Sequence, residues 1–242
     1  MIYVMSDIHG NMRRFNSILK QIDLQPEDTL YVLGDVIDRH PDGIRILRKI
    51  IEMPNVKMIL GNHEYMMLQA LGECFDDYPF YDGESFRRFG LWYRNGGEVT
   101  HRHWKHLKKT LRREIADYLK ALPLNYDIDV NGIHYKLVHG APVELYEQVD
   151  TRYPNATHFA VWKRWRVFKQ LPNEYTLIFG HTTTNHYQKT EPMKIWRQPH
   201  LIGIDCGSGY PDERCCFYGN GRLACLRLDD MKEFYSEENY DQ

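Results

Sequence analysis

Short apolar runs recur along the chain, and each closes on small or polar residues. Ile2-Tyr3-Val4-Met5 leads into Ser6-Asp7-Ile8-His9-Gly10, Thr29-Leu30-Tyr31-Val32-Leu33 into Gly34-Asp35, and Val56-Lys57-Met58-Ile59-Leu60 into Gly61-Asn62-His63-Glu64. Further along, Tyr135-Lys136-Leu137-Val138 leads into His139-Gly140, and Tyr175-Thr176-Leu177-Ile178-Phe179 into Gly180-His181. Runs of this length, rich in β-branched and aromatic side chains with little alternation, predict buried central strands. Helical spacing over Met12–Gln21 and Gly43–Glu52 separates the first three runs, which is the order of a parallel sheet. Crossovers of one hand bring the carboxyl ends of such strands to a common edge, where α/β sheets bind ligands. Asp7, His9, Asp35, Asn62 and His63 are therefore expected to converge.

From Glu64 to Lys120 the spacing is helical, with Tyr65, Leu68 and Leu71 on one face and Leu107, Leu111, Ile115, Tyr118 and Leu119 on another, so a helical cap over one side is expected. The period then drops to two. Asn131-Gly132 between two strand-like runs, Tyr126–Val130 and Ile133–Val138, is a strong hairpin signal. Asn220-Gly221 predicts a second hairpin, joining Cys215–Tyr218 to Leu223–Leu228, while the acidic tail from about 230 to 242 carries little pattern and reads as loose. The pattern predicts an α/β fold of two mixed β-sheets flanked by helices, spanning 1–242 as a single domain.

Composition narrows the chemistry. The 242 residues are 43% hydrophobic and 26% charged, an ordinary globular balance, and 31 Lys+Arg against 33 Asp+Glu leave a net charge of −2. That balance argues against a general nucleic-acid or anionic-membrane binder. The start of the chain has no basic leader and no apolar run approaches membrane-spanning length, so a cytoplasmic location is expected. Cys74, Cys206, Cys215, Cys216 and Cys225 show no paired CxxC spacing and read as reduced packing residues, not as a disulfide framework or thiolate site. A metal is thus to be sought among oxygen and imidazole donors. The strand ends supply two Asp, one Asn and three or four His, which suits Mn, Fe or Zn and exceeds what one ion needs. A central Asp35 could bridge two ions, the arrangement that activates water for in-line attack at phosphorus.

These motifs resemble, in order, the signature of the calcineurin-like metallophosphoesterases: Ser6-Asp7-Ile8-His9-Gly10, Gly34-Asp35-Val36-Ile37-Asp38-Arg39, Gly61-Asn62-His63-Glu64, His139-Gly140 and Gly180-His181-Thr182. More narrowly they resemble the bacterial and phage branch of the PPP-type serine/threonine protein phosphatases, over about Met1 to Leu228 and including Asn95-Gly96-Gly97 and Trp162-Lys163-Arg164. The resemblance implies a four-layer αββα sandwich and two divalent ions, Mn2+ foremost with Fe or Zn as alternatives. It implies that Asp7, His9 and Asp35 bind the first ion, and Asp35, Asn62, His139 and His181 the second. It further implies that His63 is the general acid oriented by Asp38, and that Arg39 and Arg164 clamp the phosphate. The sequence departs from the family at Ser6, where Gly is usual, at Ala141, which replaces a second Gly, and at His40, which stands in place of Gly beside the clamp. The connection from Gly207 to Gly219 is longer than usual.

Taken singly, a strand-end Asp or His is more often a cap or packing residue than a ligand; their convergence reverses this. Arg164, beside Lys163 and Arg166, has a plain alternative as part of a solvated helix face, and so does the basic run from His101 to Arg113. Asp205 reads as the end of a strand in a turn, and His134, His158, His186 and His200 carry no assignment. The expected activity is hydrolysis of phosphoserine or phosphothreonine in proteins, so a phosphorylated protein or small phosphoester is the expected partner, with no membrane or nucleic acid. The alternative is a symmetrical bis(5'-nucleosyl)-tetraphosphate hydrolase, whose signature typically has Ala at the position of Asp38 and Asp at that of Glu64. A non-catalytic phosphate-binding module and a nuclease are weaker readings.

Overall fold

The computed structural model describes residues 1–72, 82–147, 152–164, 174–210 and 221–237. β1 (Ile2–Met5), β2 (Thr29–Val32) and β3 (Val56–Met58) pair in parallel, with α1 (Met12–Ile22) and α2 (Gly43–Glu52) as their crossovers. Asn11 starts α1 by accepting a bond from the Arg14 amide at 3.1 Å, which satisfies one of the open donors of the first turn. The helical stretch predicted from Glu64 contains α3 (Asn62–Ala70), α4 (Asp82–Arg94), α5 (Glu98–Lys105) and α6 (Lys109–Lys120), broken at Asn95–Gly97 and again at His106–Lys108.

The predicted hairpin forms as β4 (Asn125–Val130) and β5 (Ile133–Val138), with positive φ at Asn131 (51°) and Gly132 (78°), as a two-residue turn of this hand requires. After α7 (Ala156–Trp162) come β6 (Thr176–Phe179), β7 (Trp196–Gln198), β8 (Leu201–Gly203), β9 (Ala224–Arg227) and β10 (Lys232–Tyr235). The strands build two mixed sheets, in the orders β10-β9-β1-β2-β3 and β4-β5-β6-β8-β7. Between them lies one apolar core, in which Val4, Tyr31, Leu33 and Leu226 meet Leu137, Ile178 and Ile202. A second core packs the outer face of the first sheet against the helices through Met5, Phe15, Ile18, Leu30, Ile44 and Leu47. A third packs the second sheet through Val138, Leu177 and Phe179 against Phe159 of α7. Three cores between four layers are the expected αββα sandwich.

Of two expectations at the chain's end, one falls mostly outside the described residues and the other is corrected. Residues 211–220, with most of the predicted second hairpin, lie outside the described residues. The Leu223–Leu228 run forms β9, which pairs antiparallel with β1 on one side and β10 on the other. The tail is also not loose from residue 230: β10 closes the sheet edge and buries Phe234, which tilts against Tyr3 at 6.2 Å. Its acidic surroundings mask a short alternation in which Phe234 alone points firmly inward. Among the described residues, no helix is long and apolar enough to cross a membrane.

Candidate metal centre and the cavity beside it

The carboxyl ends of β1, β2, β3, β5 and β6 bring Asp7, His9, Asp35, Asn62, His63, His139 and His181 together, all buried. The backbone reaches this edge by unusual turns. Of the ten non-glycine residues with positive φ among the described residues, six lie here: Asp7 (55°), His9 (52°), Asp35 (54°), Asp38 (72°), Arg39 (67°) and His181 (62°). Left-handed non-glycine residues of this density mark strain held by the surrounding structure, a common property of functional sites. Gly34 and Gly61 make the close approach possible: a Cβ on Gly34 would meet Gly61 Cα at 2.5 Å, and one on Gly61 would meet Asp35 Oδ1 at 2.3 Å.

Glu64 holds the Asp35 turn. Its Oε2 accepts from the Asp35 amide at 2.9 Å, and its Oε1 from Val36 and Ile37 at 2.8 and 3.2 Å. Burial pushes this carboxyl up while those bonds pull it down. A residue that looks like a marker of substrate class is thus a fully buried latch. Truncation at Glu64 leaves three amides without this acceptor, so Glu64→Ala is expected to cost on the order of 2–4 kcal/mol in denaturant unfolding, with Glu64→Gln losing less. Equal loss in both variants would show that loss of the carboxylate as such, and not the cavity left by truncation, sets the cost.

Three imidazoles are fixed in one tautomer each. His9 Nδ1, His139 Nδ1 and His181 Nε2 face the carbonyls of Ile37, Leu33 and Trp162 at 3.1, 2.6 and 3.2 Å. A carbonyl only accepts, so those nitrogens carry the proton and the opposite ones turn bare lone pairs inward. His139 Nε2 and His181 Nδ1 lie 2.8 and 2.7 Å from Asn62 Oδ1, acceptor against acceptor. His9 Nε2 lies 3.8 Å from both Asp7 Oδ1 and Asp35 Oδ2. Burial lowers the pKa of all three rings, leaving them neutral, and raises those of Asp7 and Asp35. A convergence of lone pairs with no proton between them is what divalent cations satisfy, and the imidazole and carboxylate donors suit such ions. His9, Asp35 and His63 form one group with ligand atoms within 4.8 Å of one another, and Asp35, His139 and His181 form a second.

His63 differs from the other three because its Nδ1 meets a carboxylate, Asp38 Oδ2, at 2.7 Å. The same oxygen accepts from Trp92 Nε1 at 2.8 Å, and the Asp38 amide donates to Thr100 Oγ1 at 3.0 Å. Burial opposes charge on either partner, raising Asp38 to about 7 and lowering His63 to about 4, so the pair holds one shared proton. Arg39 Nη2 lies 3.4 Å from His63 Nε2.

Beside this cluster opens a cavity of about 680 Å³, lined among others by Arg39, His40, Arg164, His186, Asp205 and Tyr210. Both candidate clamp residues reach it. Arg164 does not sit on a helix, however: α7 ends at Trp162, Lys163 is extended, and Arg164 follows, donating to the His181 carbonyl at 3.1 Å. His40 lines the cavity without displacing Arg39 from it. Asp205 is no mere turn residue; it is buried beside Asp7, Arg39 and Arg164, with its pKa raised first by burial and then by Asp7. Its signal was the rule already applied to the other strands, since Leu201-Ile202-Gly203-Ile204 is an apolar run that closes on it. Trp92 and Thr100 had no such signal. The basic run from His101 to Arg113 lies along α5 and α6 with Trp104 buried, and Arg102 pairs with Glu98 at 2.9 Å, as a solvated helix face does. Cys206 and Cys225 are free and buried, while Cys74, Cys215 and Cys216 lie outside the described residues.

Residues 1–207 match the sequence profile of calcineurin-like phosphoesterases. A symmetrical bis(5'-nucleosyl)-tetraphosphatase of Buchnera aphidicola subsp. Schizaphis graminum is 35% identical over 97% of this chain and 96% of its own. The enzyme of that name from Proteus mirabilis is 23% identical over 96% of each chain. A solved structure described as a candidate diadenosine tetraphosphatase shares the fold, with a TM-score of 0.57 and 18% identity over 97% of this chain and 91% of that one.

Proposed function

Because this chain belongs to the calcineurin-like phosphoesterase family, we propose that it hydrolyses symmetrical bis(5'-nucleosyl) tetraphosphates at a dinuclear metal site. The observation that carries this reading is the size of the cavity. About 680 Å³ beside the ligand cluster is in the range for a whole nucleotide-sized ligand, well beyond a lone phosphoryl group. Its walls add the Tyr210 ring and the imidazoles of His40 and His186 to the polar groups. The names of the full-length relatives point the same way.

In this reading Asp7, His9 and Asp35 hold one ion, and Asp35, Asn62, His139 and His181 the other. Divalent ions bound there supply Lewis-acid polarisation of the phosphoryl oxygens and a water activated near neutral pH. The chain does the rest. Arg39 and Arg164 fork the phosphoryl oxygens, since planar guanidinium groups match phosphate with two parallel bonds. The Leu33, Ile37 and Trp162 carbonyls keep each imidazole facing inward. His63 stands at the leaving side with the proton it shares with Asp38, which Trp92 holds in place.

A second reading, hydrolysis of phosphoserine or phosphothreonine in proteins, is favoured by the Asp38–His63 pair. A serine alkoxide leaves poorly without a proton, whereas a nucleotide phosphate leaves as an anion, so a buried proton-holding pair is of greatest use to the alcohol ester. Glu64 no longer helps to separate the readings, because it latches the backbone. With Mn2+ supplied, kcat/KM for diadenosine tetraphosphate is expected to exceed that for phosphopeptides by tenfold or more, about 1.4 kcal/mol of transition-state preference. A tenfold preference for phosphopeptides would overturn this reading and install the second.

A further inference from the structure

We propose that Arg94 is a specificity residue that binds an anionic group of the substrate beyond the phosphoryl group under attack, namely the next phosphates of a polyphosphate chain. The inference rests on the hydrolase reading of the same cavity and extends it to a residue outside the family motifs.

Arg94 ends α4 and lines the cavity with Arg39 and Arg164. It is exposed and, among the described residues, its guanidinium has neither a hydrogen bond nor an ion pair. Two other arginines of the cap are paired, Arg88 with Glu84 at 3.0 Å and Arg102 with Glu98 at 2.9 Å, whereas Arg94 lines the cavity. A cation in the last turn suits the helix dipole anywhere on its rim. This one is on the cavity side, where Asp205 is the only carboxylate among the described lining residues.

The cap fixes where Arg94 stands. Two residues on, the Gly96 carbonyl accepts from the Arg39 amide at 3.0 Å, and a Cβ on Gly96 (φ +93°) would lie 2.9 Å from Arg39 Cγ. Gly97 packs as closely on Trp92, which in turn donates to Asp38. The turn carrying Arg94 is therefore clasped to the segment carrying Arg39, so the two guanidinium groups are borne by one rigid unit. Arg39 faces His63 and the ligand cluster, and Arg164 is tied to the His181 carbonyl. Among the described lining residues, Arg94 remains as the guanidinium without a partner. A monoester dianion is served by the first two; a third fork gains a partner only when a second anion lies further out.

The test uses inhibition of p-nitrophenyl phosphate hydrolysis by inorganic tripolyphosphate and by orthophosphate, with free Mn2+ held constant, in the wild type, Arg94→Ala, Arg94→Gln and Arg94→Lys. For Ala and Gln the ratio of the tripolyphosphate Ki to the orthophosphate Ki is expected to rise about tenfold, the scale of one charge-assisted contact, with Lys recovering part of it. A ratio unchanged from wild type in Arg94→Ala overturns the proposal, whether both constants rise together or neither moves. The readout needs no dinucleotide turnover, so a phosphopeptide preference of the wild type would defeat the proposed function while leaving this result to stand or fall separately.

Discussion

Asp35→Asn is expected to remove more turnover than Asn62→Ala, and added metal should not restore it. Asp35 belongs to both groups of converging ligand atoms, with Oδ1 3.5 Å from His139 Nε2 and Oδ2 3.8 Å from His9 Nε2, whereas Asn62 Oδ1 faces His139 and His181. A neutral amide keeps an acceptor for the His63 amide, bonded to Asp35 Oδ1 at 3.0 Å, but removes the charge that the proposed ions would share. The loss should exceed the roughly 10- to 100-fold typical of an outer partner of a metal ligand. Steady-state rates across a Mn2+ titration decide it. Activity of Asn62→Ala should climb with metal while that of Asp35→Asn stays low; parallel curves would deny Asp35 its bridging place.

The second large effect belongs to His63. With its Nδ1 on Asp38 and its Nε2 toward the ligand cluster, it is placed to hand over a proton without holding an ion. His63→Asn should keep its metal yet lose roughly 10²- to 10⁴-fold on phosphoserine peptides, the span of general acid catalysis. The loss should shrink for p-nitrophenyl phosphate and for diadenosine tetraphosphate, whose leaving groups depart as stabilised anions. Equal losses on all three, or loss of metal, would make His63 a ligand, as its membership of the first group of ligand atoms allows.

Most of the site's membership was legible because it follows from one rule: parallel strands deliver their last residues to a common edge. Asp7, His9, Asp35, His139 and His181 each close an apolar run, and the structure sets all of them there. Asp205 obeys the same rule and was passed over, since an Asp followed by Cys-Gly also suits a turn; only packing shows it beside Arg39 and Arg164. Trp92, Thr100 and Arg94 come from helices of the cap, and helical spacing tells which face is apolar, not which distant side chain it will meet. The left-handed backbone at Asp38 and Arg39 is likewise silent in sequence, because neither residue type demands it. Arg164 was drawn onto a helix by its basic neighbours, although α7 stops two residues earlier. The β10 strand was hidden by charge, with the apolar Phe234 set among acidic residues.

The account turns on whether the converging lone pairs of the strand ends hold two ions. Equilibrium dialysis of the purified chain against Mn2+, followed by elemental analysis, measures this directly. Two ions per wild-type chain, falling to one or none in Asp35→Asn, is the expected result; a wild-type chain that saturates at one ion, or an Asp35→Asn variant that still takes two, would contradict it.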